Sequence, residues 1–234
     1  MLRVAVARVP DAPPPGDAVA PGWFGDDERR RWEGLRPPAR RAFAASRALL
    51  RELLQAATGV PASDWDVSAR AGVAPVARAP AHATGAIHVS LSHRLDWVAA
   101  AVSDVPVGVD VECERAPRGA PAERAALMLS PAELASWQRL APSAQEAALL
   151  ARWTVKEAWF KASPPETAPG DFRRIAARAG RLGDAGANVR TWASPPIHLA
   201  LCSPDAQALA TVDCELPAAA SSLSWHVRRI DFAT

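Results

Sequence analysis

The sequence predicts an α+β protein made of two α+β halves of similar plan, and three observations predict it. A strand-like opening leads into one long amphipathic helix and then a close series of alternating apolar runs. Beyond that series the order recurs, as helix signals followed by further alternating runs. The two series meet in a turn-rich stretch from Asp104 to Val107, which sets the expected division at residues 1–105 and 106–234. No residue-level repeat accompanies it.

Taken in order, the opening LRVAVAR reads as a strand, and Asp11 to Gly22, with Pro13, Pro14 and Pro15, reads as a loop. From Pro38 to Thr58, Phe43, Leu50 and Leu54 share one helical stripe with Leu49, Leu53 and Ala56 beside it, and Gly59 is a stop signal. That spacing predicts a helix of about five turns. Between Pro61 and Ala86 the Pro, Gly and Ala residues predict loop and short strand. The runs IHVSLS, DWVAAAVS and VGVDVE then predict three strands, the last two separated at Asp104 and Pro106. Two capping boxes follow. Ser130-Pro131-Ala132-Glu133 opens one helix, and Ser143-Ala144-Gln145-Glu146 opens another that runs to about Lys161. Past Ser163 a Pro- and Gly-rich connection leads to VRTWAS, IHLALCS, ALATVD and LSWHVRR, expected as strands of an antiparallel sheet.

Composition excludes several classes of function. With 49% hydrophobic and 22% charged residues the chain can bury a sizeable core. Lys+Arg (27) exceed Asp+Glu (25) by only two, too small an excess for the basic footprint of a nucleic-acid binder. No apolar run approaches the roughly 18 to 20 residues of a membrane span, and the N-terminus carries no apolar signal region, so a cytoplasmic protein is expected. The odd, widely spaced Cys113, Cys202 and Cys214 do not suit a disulfide framework or a Cys-rich metal site.

The chemistry concentrates in two segments. In Gly108-Val109-Asp110-Val111-Glu112 a strand places the valines on one face and both acids on the other. Their Cα atoms then lie roughly 6.6 Å apart, within reach of one oxygen-loving cation. An amphipathic edge strand with a solvated acidic face accounts for the same pattern. In Trp153-Thr154-Val155-Lys156-Glu157-Ala158-Trp159-Phe160-Lys161 the helix spacing buries aromatics while Glu157 and Lys161, four apart, point at a neighbouring surface. The plainer alternative is a surface ion pair worth about 0.3 to 0.5 kcal/mol. Two further candidates are Ser92-His93, where a strand gives way to a turn before Arg94, and Arg47, set within the apolar stripe of the long helix and flanked by Arg36, Arg40, Arg41 and Arg51. A hydrogen-bonded turn histidine and a snorkelling arginine explain these equally, although guanidinium groups also suit phosphate.

Together these residues resemble the 4'-phosphopantetheinyl transferase superfamily, and within it the long single-chain, surfactin-synthetase-activating class that serves peptide and polyketide synthases. The family's G-(V/I)-D-(V/I)-E motif is matched by Gly108 to Glu112 and its W-(S/T)-x-K-E-A/S-x-x-K motif by Trp153 to Lys161, about 45 residues apart as in the family. Ser92-His93 followed by Trp97 resembles its S-H motif, and Arg47-Ala-Leu-Leu its helix with an arginine before a leucine pair. The resemblance covers roughly Arg40 to Lys161.

It implies two halves related by a pseudo-twofold, with the active-site cleft between them, in a monomer. It further implies transfer of the 4'-phosphopantetheine group of coenzyme A to a serine of an apo acyl or peptidyl carrier protein, releasing 3',5'-ADP. Asp110, Glu112 and Glu157 are the implied ligands of Mg²⁺, with Mn²⁺ the alternative. Glu157 is the implied base toward the carrier serine, directly or through a water, and Lys161 assists the leaving group. Arg47, Ser92, His93, Lys156 and Lys161 are the implied contacts to coenzyme A. The chain departs from the family in two places: Gly72-Val73-Ala74-Pro75 replaces G-K-P, leaving Arg70 or Arg78 to supply the cation, and Lys161-Ala-Ser-Pro-Pro-Glu-Thr replaces K-x-x-G-x-G. The rival readings are a non-catalytic coenzyme A or carrier-protein binding module of the same fold and a metal-dependent phosphohydrolase acting on another nucleotide.

Overall fold

Alternating side chains in Leu2–Arg8 form the first strand, β1, and the helix signals that follow give α1 (Asp26–Glu33) and α2 (Pro37–Thr58). The computed structural model describes residues 1–10, 19–79, 85–114, 120–164, 166, 168–216 and 220–231; the expected Pro13–Pro15 loop lies outside them, as do Pro165 and Thr167 of the Pro-rich connection. Helix α2 starts with proline in its first turn and ends where Gly59, at φ 75°, takes the left-handed cap that a side chain would resist. Helix α1 was not apparent from apolar periodicity. It is set by charge, with Asp26, Asp27 and Glu28 in its first turn and Arg30 and Arg31 in its last, matching the helix dipole.

The Pro61–Ala86 stretch contains the short pair β2 (Asp66–Val67) and β3 (Ala77–Arg78). Next come β4 (His88–Arg94) and β5 (Trp97–Ser103), joined through Leu95 at φ 52°. The first sheet has the order β1-β5-β4, antiparallel throughout. Its central strand is apolar on both faces because both are covered: Ala100 and Val102 pack with Leu50 and Leu54 of α2, while Ala99 and Ala101 face the second sheet.

That second sheet has the order β6-β9-β8-β10-β7, formed by β6 (Gly108–Cys113), β7 (Ile175–Gly180), β8 (Val189–Ser194), β9 (Ile197–Cys202) and β10 (Ser221–Arg229), again antiparallel. Between β6 and β7 lie the helices α3 (Pro121–Met128), α4 (Pro131–Gln138) and α5 (Pro142–Ala162). Helix α5 packs Val155 and Ala158 onto Ile175, Val189, Ala200 and Trp225. One core cluster joins both sheets, with Val4, Ala99 and Ala101 against Val109, Val111, Leu199 and Leu201. The molecule is therefore mixed α+β with a shared core. Among the described residues no helix is long and apolar enough to cross a membrane.

Two local expectations need correction. The Ser130 capping box forms in full, with Ser130 Oγ accepting from the Glu133 N–H and Glu133 Oε2 accepting from the Ser130 N–H. The Ser143 box does not form. Helix α5 begins one residue earlier at Pro142, which makes Ala141 the cap, and Glu146 pairs instead with Arg124 across from α3. ALATVD, expected as a strand, lies mostly in helix α6 (Ala206–Thr211), because Asp205 Oδ1 caps the turn by accepting from the Ala208 N–H at 2.9 Å.

Candidate active site

The site lies where the open edge of the first sheet meets β6. Strands present alternate residues to one side, and three from β4 turn toward β6 in sequence. Ser90 Oγ accepts from the Val109 N–H at 3.0 Å, Ser92 Oγ donates to Asp110 Oδ1 at 2.8 Å, and Arg94 Nε lies 2.9 Å from Glu112 Oε2. Ser92 was expected here. Arg94 was not assigned a role, although its spacing of two from Ser92 places it on the same face.

Helix α5 closes on β6 from the other side, and Gly108 permits the approach. A Cβ at that position would collide with the Ala158 carbonyl and lie 2.7 Å from the Ala162 nitrogen, so the glycine is required by close packing rather than by an unusual φ. The helix thereby delivers Glu157 and Lys161. Lys161 Nζ donates to Asp110 Oδ1 at 2.7 Å and to the Val109 carbonyl at 3.2 Å. Trp153, one turn before Glu157, donates its indole N–H to Glu112 Oε1 at 3.1 Å and stacks on Phe172 at 5.2 Å. The motif tryptophan thus orients an acid while its ring stays against apolar side chains.

The electrostatics follow from this crowding. Burial, followed by the repulsion of Asp110 and Glu112, pushes the Glu157 carboxyl above its ordinary range, against an opposing pull from Lys161. Loss of water around the His93 ring, with the charges of Lys161 and Arg94, holds its imidazolium below the usual range. His93 remains exposed at the mouth of the site. Three carboxylates on two elements therefore sense one another's charge.

Two other expected contacts do not reach this place. Lys156 is fully buried on the opposite side of α5, where Nζ donates to Glu133 Oε2 and the Met128 carbonyl, both at 2.7 Å, and to the Phe172 carbonyl at 3.2 Å. Neighbouring helix positions point about 100° apart, so Lys156 and Glu157 cannot serve one pocket. Arg47 is also inside the fold. Its Nη1 donates to the Ser68 carbonyl at 3.0 Å, its Nε lies 3.9 Å from Glu28 Oε1, and its guanidinium covers the Phe43 ring. Nearby Arg51 pairs with the same fully buried Glu28 at 2.6 Å, and Arg40 binds backbone carbonyls around Leu35. This arginine cluster holds α1 and the strand after α2 in place. Of the substitutes for the missing lysine, Arg78 is exposed and lies 3.6 Å from Asp66.

Whether the acids suit a divalent cation is decided by Asp110. The residue is 4% exposed, yet its Oδ2 is buried with no hydrogen-bond partner, a costly arrangement that a cation would relieve. In the conformation described, Lys161 and Arg94 stand against Asp110 and Glu112, and among the described residues no three His, Cys, Asp or Glu side chains are gathered closely enough to hold a metal. The donor set is all oxygen, as Mg²⁺ prefers. In donor chemistry and in the unmatched Asp110 oxygen the residues fit the ion, while their side chains are not drawn together around one point. A cleft of about 700 Å³ opens directly beside Glu112, walled by Arg94, Leu127, Met128, Leu150, Trp153 and Phe172.

No curated protein matches the chain. Residues 106–212, the segment that runs from β6 through α5 to α6 and holds Asp110, Glu112, Glu157 and Lys161, match the family model of the 4'-phosphopantetheinyl transferase superfamily.

Proposed function

We propose that the chain transfers the 4'-phosphopantetheine group of coenzyme A to a serine of an apo acyl or peptidyl carrier protein, in the manner of the long single-chain class. The observation that carries this reading is the unpartnered Oδ2 of Asp110, set among two further carboxylates and Lys161 within the segment that matches the family. Asp110, Glu112 and Glu157 are the residues to hold Mg²⁺ or Mn²⁺. When bound, that ion neutralises pyrophosphate charge and polarises the phosphorus centre.

The chain's own residues supply the rest. Glu157 accepts the proton from the serine hydroxyl, directly or through a water, as the serine oxygen attacks the β-phosphorus. The bond from that phosphorus to the bridging oxygen breaks, and 3',5'-ADP leaves with the electron pair. Lys161 offsets the charge that develops on the leaving phosphate. Exposed His93 meets an outlying phosphate, and Ser92 keeps Asp110 oriented through its 2.8 Å bond. Residues 1–105 supply one wall of the site and residues 106–234 the acids, so one monomer carries both. The cytoplasm is the expected setting.

The test is direct. Purified protein, Mg²⁺, coenzyme A and an apo carrier protein are combined, and the carrier's intact mass rises by one phosphopantetheine; an unchanged mass sinks the reading. Release of 3',5'-ADP only when carrier is present separates transfer from phosphohydrolysis.

A further inference from the structure

The three residues that β4 turns toward β6 are not held alike. Ser90 and Ser92 make directed hydrogen bonds to β6, whereas Arg94 Nε, though 2.9 Å from Glu112 Oε2, is buried without a hydrogen-bond partner. Charge holds this contact, and bond direction does not. The Arg94 side chain is 30% exposed and forms part of the wall of the 700 Å³ cleft, so it has space to move into. Glu112 keeps its Trp153 bond whether or not Arg94 stays. Lys161 differs, because it is bonded to both Asp110 and the Val109 carbonyl.

We infer that Arg94 is a displaceable counter-ion of Glu112: it neutralises that carboxylate while no metal is bound, and an entering divalent cation takes the Glu112 oxygen and turns the guanidinium out into the cleft. The inference rests on the metal-binding reading proposed above. Without Arg94, Glu112, which already repels Glu157, lacks one of the contacts that keep it on the β6 edge. With one, the ligand stays in place, but the metal must compete for it. Arg94 is thus a positioning residue that acts through Glu112, and it sets how tightly the site holds its cation.

Calorimetric titration of the full chain with Mg²⁺ alone tests this, and needs no turnover. Arg94→Ala, and Arg94→Gln, which keeps a polar but shorter side chain without the charge, both tighten Mg²⁺ binding about two- to fivefold, the size of one partly exposed ion pair. Arg124→Ala removes another arginine from the cleft wall, one paired with Glu146, and leaves Mg²⁺ affinity unchanged. Unchanged affinity in both Arg94 variants overturns the inference. So does equal tightening by Arg124→Ala, which would mark a diffuse field instead of a local contact. Tightening in the Arg94 variants without any mass gain on carrier protein supports the counter-ion and sinks the transferase reading alone; no Mg²⁺ binding by any form sinks both.

Discussion

Helix α5 faces two charged clusters that are built on opposite principles. On the Lys156 side every charged atom is spent: Nζ has three acceptors, Glu133 Oε2 receives both Lys156 and the Ser130 N–H, and Glu133 Oε1 receives the Ala177 N–H at 3.0 Å. That node ties α3, α4, α5 and β7 together without reaching solvent. On the Glu157 side, three carboxylates share Lys161 and Arg94, and Asp110 Oδ2 is left with nothing. A cluster whose bonds close on themselves holds the fold, and one that leaves a buried oxygen unmatched waits for a ligand.

The largest effect expected from this contrast falls on the closed cluster. Lys156→Ala leaves Glu133 buried without its cation, and stability falls by about 3 to 5 kcal/mol in denaturant unfolding. The double variant Lys156→Met with Glu133→Leu removes both charges but orphans the Ser130 and Ala177 N–H groups, so it recovers only part of the loss. Full recovery would show that the pair, and not its backbone contacts, does the bracing.

The open cluster responds the other way. Asp110→Asn keeps an acceptor for Ser92 while removing the carboxylate's charge and one anionic oxygen, so transfer to carrier protein falls by more than ~100-fold, a loss at least as large as removal of a metal's supporting contacts. The melting temperature stays level or rises, since a source of repulsion has gone. A melting temperature that drops as far as that of Lys156→Ala would place Asp110 among the structural charges. Gly108→Ala stands between the two clusters: pushing α5 off β6 costs about 1 to 3 kcal/mol as overpacking and weakens transfer by separating Glu157 and Lys161 from Asp110. Calorimetric melting and the carrier mass assay, run on the same sample, read both effects.

The same contrast explains which parts of the molecule could be read from the sequence. Most strands announced themselves by alternation and α2 by apolar spacing with Gly59 as its stop, whereas α5 was expected to open at Ser143 instead of Pro142 and β7, rich in alanine and arginine, was not foreseen. Helix α6 was misread because the run Ala208 to Val212, of Ala, Leu, Thr and Val, alternates as well as it coils, and only the Asp205 cap settles the matter. Asp110, Glu112, Glu157 and Lys161 were readable because strand period and an i,i+4 helix spacing put them on facing sides. The resemblance also implied Lys156 and Arg47 as contacts, and helix geometry takes both away from the site. Lys156 is one residue from Glu157 and faces away from it, and Arg47 sits four residues after Phe43 inside a stripe that α2 buries. Glu133 could not be paired with Lys156 from sequence, since 23 residues and two helix ends separate them.

The pH response of Glu157 is the smallest effect and the finest test of the open cluster. Its folded-state pKa is raised above the ordinary 4.5, so in the metal-free protein folding favours the protonated form. The stability linked to that proton is therefore complete below pH 4.5 and is lost as pH climbs through the raised folded value. Glu157→Gln, which cannot ionise, gains melting temperature over the parent chain at neutral pH with a chelator present, and the gain shrinks to nothing below pH 4.5. A difference that stays constant across that range would mean Glu157 does not feel Asp110 and Glu112, and the carboxylates would not form one cluster. Turnover has the opposite slope, because only the ionised Glu157 can accept the serine proton: kcat/KM rises with pH along a limb set by the same group.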